Sequence, residues 1–119
     1  MAKSIPEYSL IDFQELRESQ FPALQHLIRR VYERSQFYRD KLDGAGTKPE
    51  GIQNFTDFSH IPFTVKQELR EYPLDYMSAA EEEEIVRIHS SSGTTGKPTI
   101  IPYTKNDVDA FTDMMARCL

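Results

Sequence analysis

Between Phe21 and Tyr32 the apolar residues Leu24, Leu27, Ile28 and Val31 recur at intervals of three and four, with Gln25, Arg29 and Arg30 between them. That spacing gathers the apolar side chains on one face and predicts an amphipathic helix that needs a partner surface. Phe37, Tyr38 and Leu42 either extend this helix or form a second short one before Gly44, Gly46 and Pro49 break the pattern. Phe55, Phe58 and Ile61 predict a helical turn running into Pro62. Thr64 and Gln67 have capping-box spacing for a further helix through Leu69, which Pro73 ends. The run Glu81 to Glu84 reads as a solvated surface stretch, because four adjacent carboxylates on a regular element cannot converge on one cation.

The period then changes to two. Over Ile85 to Ser90, Val86 and Ile88 fall on one face and Arg87 and His89 on the other, which predicts a strand. Thr99 to Tyr103 is a second β-branched run that Pro102 confines to a strand end or a sheet edge. Between them, Ser91-Ser92-Gly93-Thr94-Thr95-Gly96-Lys97-Pro98 is too polar and too small to be anything but a loop. Thr104 with Asp107 predicts a capped helix whose apolar face is Val108, Phe111, Met115 and Cys118 or Leu119. No C-cap follows, so a truncated helix is the expectation, and a two-stranded hairpin needs further elements to cover it.

Composition narrows the partners. The 119 residues have the length of one small domain, and 14 basic against 19 acidic residues give a formal charge of −5 with no basic stripe. Nucleic acid is an unsuitable partner for such a chain. No apolar stretch approaches a membrane span, and Met1 to Ile5 do not open a signal-peptide pattern, so a cytoplasmic location without membrane attachment is expected. The single cysteine, Cys118, cannot form an internal disulfide and reads as a small apolar helical residue; no Cys/His cluster has metal-ligand spacing.

The loop carries the chemistry. A polyphosphate cradle needs converging backbone N–H groups, glycines that allow positive φ, and hydroxyls or a cation that share the charge. Gly93 and Gly96, the hydroxyls of Ser91, Ser92, Thr94 and Thr95, and Lys97 supply them. The Walker pattern is not met, since Ser91 stands where its first glycine should be and Pro98 where its Ser/Thr should be. Nor is a third glycine in register for G-x-G-x-x-G, and a strand-loop-strand setting is not a Rossmann turn. His89 and the neighbouring serines lack a G-x-S-x-G elbow, which sets a serine hydrolase aside. On these features alone a plain Ser/Thr/Gly turn remains open.

Arg87-Ile88-His89-Ser90-Ser91-Ser92-Gly93-Thr94-Thr95-Gly96-Lys97-Pro98-Thr99, followed by Tyr103-Thr104, closely resembles the phosphate loop of the adenylate-forming superfamily in its phenylacetate-CoA ligase branch. Most of that superfamily has the lysine after the proline; Lys97 before Pro98 agrees with this branch. The resemblance extends upstream through Val31 to Leu42, Ile61 to Thr64 and Lys66 to Leu69, segments read as structural, with Tyr32, Phe37 and Tyr38 as core aromatics. It implies a two-step reaction in which an aryl acid and ATP give an acyl-adenylate and pyrophosphate, and coenzyme A then displaces AMP. By position, Ser91, Ser92, Gly93, Thr94, Thr95, Gly96 and Lys97 would hold the β- and γ-phosphates. ATP, Mg²⁺ and coenzyme A are thus the implied cofactors and substrates, and aromatic acid catabolism the implied context.

The expected fold class is α/β, a partial N-terminal adenylating domain. Its parts are a mostly helical leader over 1–80, a strand, phosphate loop and strand over 85–103, and a helix over 104–119. The family's adenine, magnesium and ribose segments and its mobile C-terminal domain fall outside these residues. The expectation is therefore a piece with no catalytic residue of its own and inactive alone, completed by association with the missing part or by homo-oligomerisation. A non-catalytic phosphate-binding module and a helical interaction module remain the alternatives.

Overall fold

Ser35 divides the first helical stretch in two. In the computed structural model, which describes residues 12–91 and 96–119, it lies in extended backbone between α1, Phe13–Arg34, and α2, Gln36–Gly44. Its hydroxyl accepts the Tyr38 N–H at 3.3 Å, capping α2, and donates to the Met77 carbonyl at 2.7 Å; the residue is 0% exposed. The guanidinium of Arg39 reaches back to the Tyr32 and Glu33 carbonyls at the end of α1. One turn thus satisfies groups that helix ends otherwise leave unpaired. The apolar stripe from Phe21 onward is present, but α1 begins eight residues earlier, through a polar stretch that shows no such period, and takes Pro22 into its interior. Phe37, Tyr38 and Leu42 belong to the second of the two alternatives, a separate short helix.

Ile28 of α1, Leu42 of α2 and Ile52 form the core, with Phe21, Leu24, Tyr32 and Ile61 packed around them. Each fully buried aliphatic side chain contributes about 1.5–3 kcal/mol. A 3₁₀ turn, Pro49–Gly51, delivers Ile52, whose carbonyl accepts from the Gln25 side chain at 3.0 Å. Leu27 departs from the expected stripe: it lies at the helix shoulder and is exposed. Phe37 is buried in a second cluster, its ring centroid 5.0 Å from Tyr38, 5.3 Å from Tyr72 and 6.1 Å from Tyr76. Tyr32 and Tyr38 are only partly buried because their hydroxyls have polar work, Tyr32 donating to Asp43 and Tyr38 meeting Thr64.

The short helices α3, Phe55–Phe58, α4, Lys66–Glu71, and α5, Leu74–Met77, close this unit. The cap of α4 corrects the sequence reading. Thr64 bonds Tyr38 instead of the helix, and Glu68, not Gln67, reaches back to the Val65 N–H at 2.8 Å. Glu68 is free to do this because Lys41 on α2 fixes it from the other side, with Nζ–O distances of 2.7 and 2.8 Å. The helix also runs on to Glu71, and Pro73 opens α5. The acidic run forms an exposed 3₁₀ turn, Glu82–Glu84, from which Glu84 pairs with Arg34.

β1, Ile85–Ser90, and β2, Ile100–Thr104, pair antiparallel, with Ser90 opposite Ile100 and Ile88 opposite Pro102. The register slips at Val86, a bulge that leaves this residue out of the ladder. Val86 is 60% and Ile88 58% exposed, so the apolar face expected of this strand is not covered within the described residues. α6, Lys105–Cys118, starts on the expected box: Thr104 Oγ1 accepts the Asp107 N–H and the Asp107 carboxylate accepts the Thr104 N–H. Its apolar face is open as well: Phe111, Met114, Met115 and Cys118 are exposed and Val108 only partly buried. No described helix is long and apolar enough to cross a membrane.

Two stability predictions follow from these contacts. Ser35→Ala removes the α2 cap and strands the Met77 carbonyl, so urea unfolding followed by circular dichroism should show a loss of about 2 kcal/mol. The Lys41 ammonium, and after it the Val65 N–H, hold the Glu68 carboxyl below the usual glutamate range. A carboxyl with a lower pKa in the folded than in the unfolded chain stabilises the fold above the unfolded value of about 4.3, and that contribution disappears as pH falls through the folded value. The urea midpoint should therefore drop on acidification below about pH 4, and Glu68→Gln should lower the midpoint at neutral pH and flatten that drop.

Candidate functional site

The hairpin's polar turn is tied at its base by two reciprocal bonds. The Ser91 N–H donates to the Thr99 carbonyl at 3.0 Å, and the Thr99 N–H donates to the Ser91 hydroxyl at 2.9 Å. The ladder thereby extends one residue past each strand and fixes where the loop leaves and returns. Four of the seven predicted phosphate-binding residues, Ser92, Gly93, Thr94 and Thr95, lie outside the described residues. The other three frame the loop. Ser91 spends an acceptor lone pair on Thr99 and keeps its O–H as a donor. Gly96 has φ +88°, in the region that L side chains avoid, with open space where a Cβ would stand. Lys97 is exposed at the exit, followed by Pro98.

Thr99 is the residue that strand periodicity alone undervalued. The pattern puts it at the start of the second strand; the structure makes it the buried anchor of the loop, 9% exposed, with no partner for its Oγ1 among the described residues. Across the hairpin the rings of His89 and Tyr103 lie 4.5 Å apart between centroids, which gives His89 a stacking role beside the loop.

The hairpin faces the helical unit across an open cleft of about 900 Å³. Lys97, Pro98, Ile100 and Ile101 line one side, and Leu27, Arg30, Tyr38 and Arg70 line the other. A cleft of this size with an apolar floor and a few charged groups has the dimensions of a small-ligand site. Among the described residues no three carboxylate, histidine or cysteine side chains could hold a metal ion together.

No protein-family profile matches the chain. Individual proteins do. It is 45% identical over 114 residues to phenylacetate-coenzyme A ligase of Thermus thermophilus, covering 96% of this chain and 26% of that protein. The Escherichia coli phenylacetate-coenzyme A ligase is 43% identical over 106 residues, 88% of this chain and 24% of its own. The chain is a homologue of the phenylacetate-CoA ligases. It spans about a quarter of the length of these curated relatives. A crystal structure of 2-hydroxyisobutyryl-CoA ligase in complex with 2-HIB-AMP and CoA superposes with a TM-score of 0.75 at 28% identity, over 89% of this chain and 24% of that one. An open conformation of that ligase, 24% identical with a TM-score of 0.74, shares the fold. The helical unit, hairpin and α6 of this phenylacetate-CoA ligase homologue are thus an architecture found inside larger CoA ligases.

The backbone at Gly96 gives a direct test. Gly96→Ala forces a Cβ into a positive-φ position with no steric neighbour, so its cost is conformational and should be about 1 kcal/mol, with Gly96→Asn recovering part of it. Faster amide hydrogen exchange at Thr99 in the alanine variant would locate the loss at the base of the loop.

Proposed function

We propose that the chain is the N-terminal part of an AMP-forming acid–CoA ligase of the phenylacetate-CoA ligase type, and that its loop holds the polyphosphate of ATP. The observation that carries this reading is the Ser91–Thr99 clamp closing a hydroxyl-rich turn, with Gly96 at positive φ and Lys97 at its exit. Ser91, Ser92, Gly93, Thr94, Thr95, Gly96 and Lys97 are the proposed phosphate-binding residues. Backbone N–H groups and hydroxyls there would position the β- and γ-phosphates, and Lys97 would offset their charge, which leaves the α-phosphorus exposed to an incoming carboxylate.

In the proposed reaction an acid's carboxylate oxygen attacks the α-phosphorus and pyrophosphate leaves. The thiolate of coenzyme A then attacks the acyl carbon and AMP leaves. The solved relative with bound acyl-AMP and CoA supports this sequence by kinship. Mg²⁺ would arrive with the nucleotide, and the use of ATP and coenzyme A fits a cytoplasmic location. Residues 1–80 would form a leader to the adenylating domain, 85–103 its phosphate hairpin and 104–119 its next helix. Groups for the adenine, the ribose and the acid would come from residues beyond these, supplied by the rest of a ligase or by a second chain, so the 119 residues alone form no adenylate.

Thermal unfolding with and without Mg-ATP tests the loop directly. Ligand that binds the folded state alone stabilises it by about 2.7 kcal/mol at a hundredfold excess over Kd, so the transition should shift upward and the shift should vanish in Gly93→Val. A cooperative transition that ignores ATP would reject the phosphate-binding role. Pyrophosphate release upon adding an aryl acid would reject the claim that this chain is inactive alone.

A further inference from the structure

Arg70, on α4, has an Nε that is shut off from solvent with no hydrogen-bond acceptor among the described residues, and a buried unpaired donor of a charged group is costly. Arg70 lines the cleft between the helical unit and the hairpin, as do Arg30 of α1 and Lys97. None of these three cations has an ion-pair partner among the described residues. The carboxylates on the same cleft are differently placed. Glu84 is engaged by Arg34 and by the Glu81 N–H, Asp107 by the Thr104 N–H and hydroxyl, and Glu71 by Gln67. Each acid therefore has local partners, while among the described residues none of the three bases has an ion-pair partner.

The two arginines are also firmly carried. Arg30 stands on the 22-residue helix α1, and α4, which carries Arg70, is tied to α2 through Glu68 and Lys41. Guanidinium forks recognise tetrahedral oxyanions through paired N–H donors, and an apolar floor strengthens the attraction by lowering the local dielectric. Leu69 and Ile101, both partly buried, line the same cleft. We infer that Arg30 and Arg70 form a second oxyanion subsite, on the helical wall of the cleft that Lys97 also lines, and that its ligand is a phosphate group. This deepens the phosphate-binding role proposed for the loop, and rests on it for the choice of phosphate over carboxylate.

The test is calorimetric titration of the chain with pyrophosphate, and with succinate as a carboxylate of similar span. Arg30→Gln, Arg70→Gln and Gly93→Val are measured beside the parent, with circular dichroism confirming each fold. Losing a charge-assisted pair should weaken pyrophosphate binding about tenfold in each arginine variant, and succinate should bind far more weakly than pyrophosphate. Arginine variants that fold and bind pyrophosphate like the parent would overturn the subsite, as would a parent that takes succinate equally well. Should Arg70→Gln not fold, Arg30→Gln, altered at a helix surface, decides alone. Loss in Gly93→Val only keeps the loop and rejects the subsite, and loss in the arginine variants only does the reverse. No pyrophosphate binding by the parent rejects both.

Discussion

Much of the helical unit depends on one buried hydroxyl. Ser35 ends α1, caps α2 and holds the Met77 carbonyl at the end of α5, so three helix termini meet at a side chain with no solvent contact. An apolar residue there would keep the backbone bond to Val31 but lose both the α2 cap and the bond to the Met77 carbonyl. With the α1–α2 corner fixed, Ile28 and Leu42 are brought against Ile52, and Phe37 is turned toward Tyr72 and Tyr76. Arg39 and Lys41 complete the arrangement from α2, one satisfying the end of α1 and the other anchoring α4. Most of the polar bonds that define this unit therefore radiate from a single short helix.

The hairpin is built on a different balance. Its side chains contribute little burial, with Val86, Ile88 and Ile100 exposed, and its order comes from backbone pairing and from the Ser91–Thr99 bonds at the base of the loop. A glycine-rich turn needs little side-chain packing around it, and the Ser91–Thr99 bonds fix its two ends. The open faces of the hairpin and α6 agree with the kinship to enzymes some four times longer, in which this architecture is one part among several. Arg30, Arg70 and Lys97 line the cleft between the two units, and none of them is in an ion pair among the described residues.

Local signals in the sequence translated well where one residue type has one use. Thr104 and Asp107 form the box their spacing predicts, alternation over Ile85 to Ser90 gives a strand, and the phosphate-loop pattern points to the ligases that the relatives confirm as kin. Thr64 and Gln67 failed as a cap because Tyr38, distant in sequence, competes for the threonine hydroxyl and Lys41 steers Glu68 into the role. Leu27 matched the helical period as well as Ile28 did, but periodicity does not tell a face's centre from its shoulder. Thr99 looked like any β-branched strand residue until its amide was seen to bond Ser91.

By itself the sequence determined the amphipathic part of α1, both strands, the capped start of α6, the location of the glycine-rich turn, and the family to which that turn points, because periodicity, capping and loop chemistry act over a few neighbouring residues. Only the tertiary structure decided which hydroxyl caps which helix, that Ser91 and Thr99 close the loop, and that Arg30 and Arg70 share a cleft with Lys97. Those outcomes depend on residues dozens of positions apart competing for the same donors, acceptors and apolar surface, and such competition is resolved only when the chain is folded.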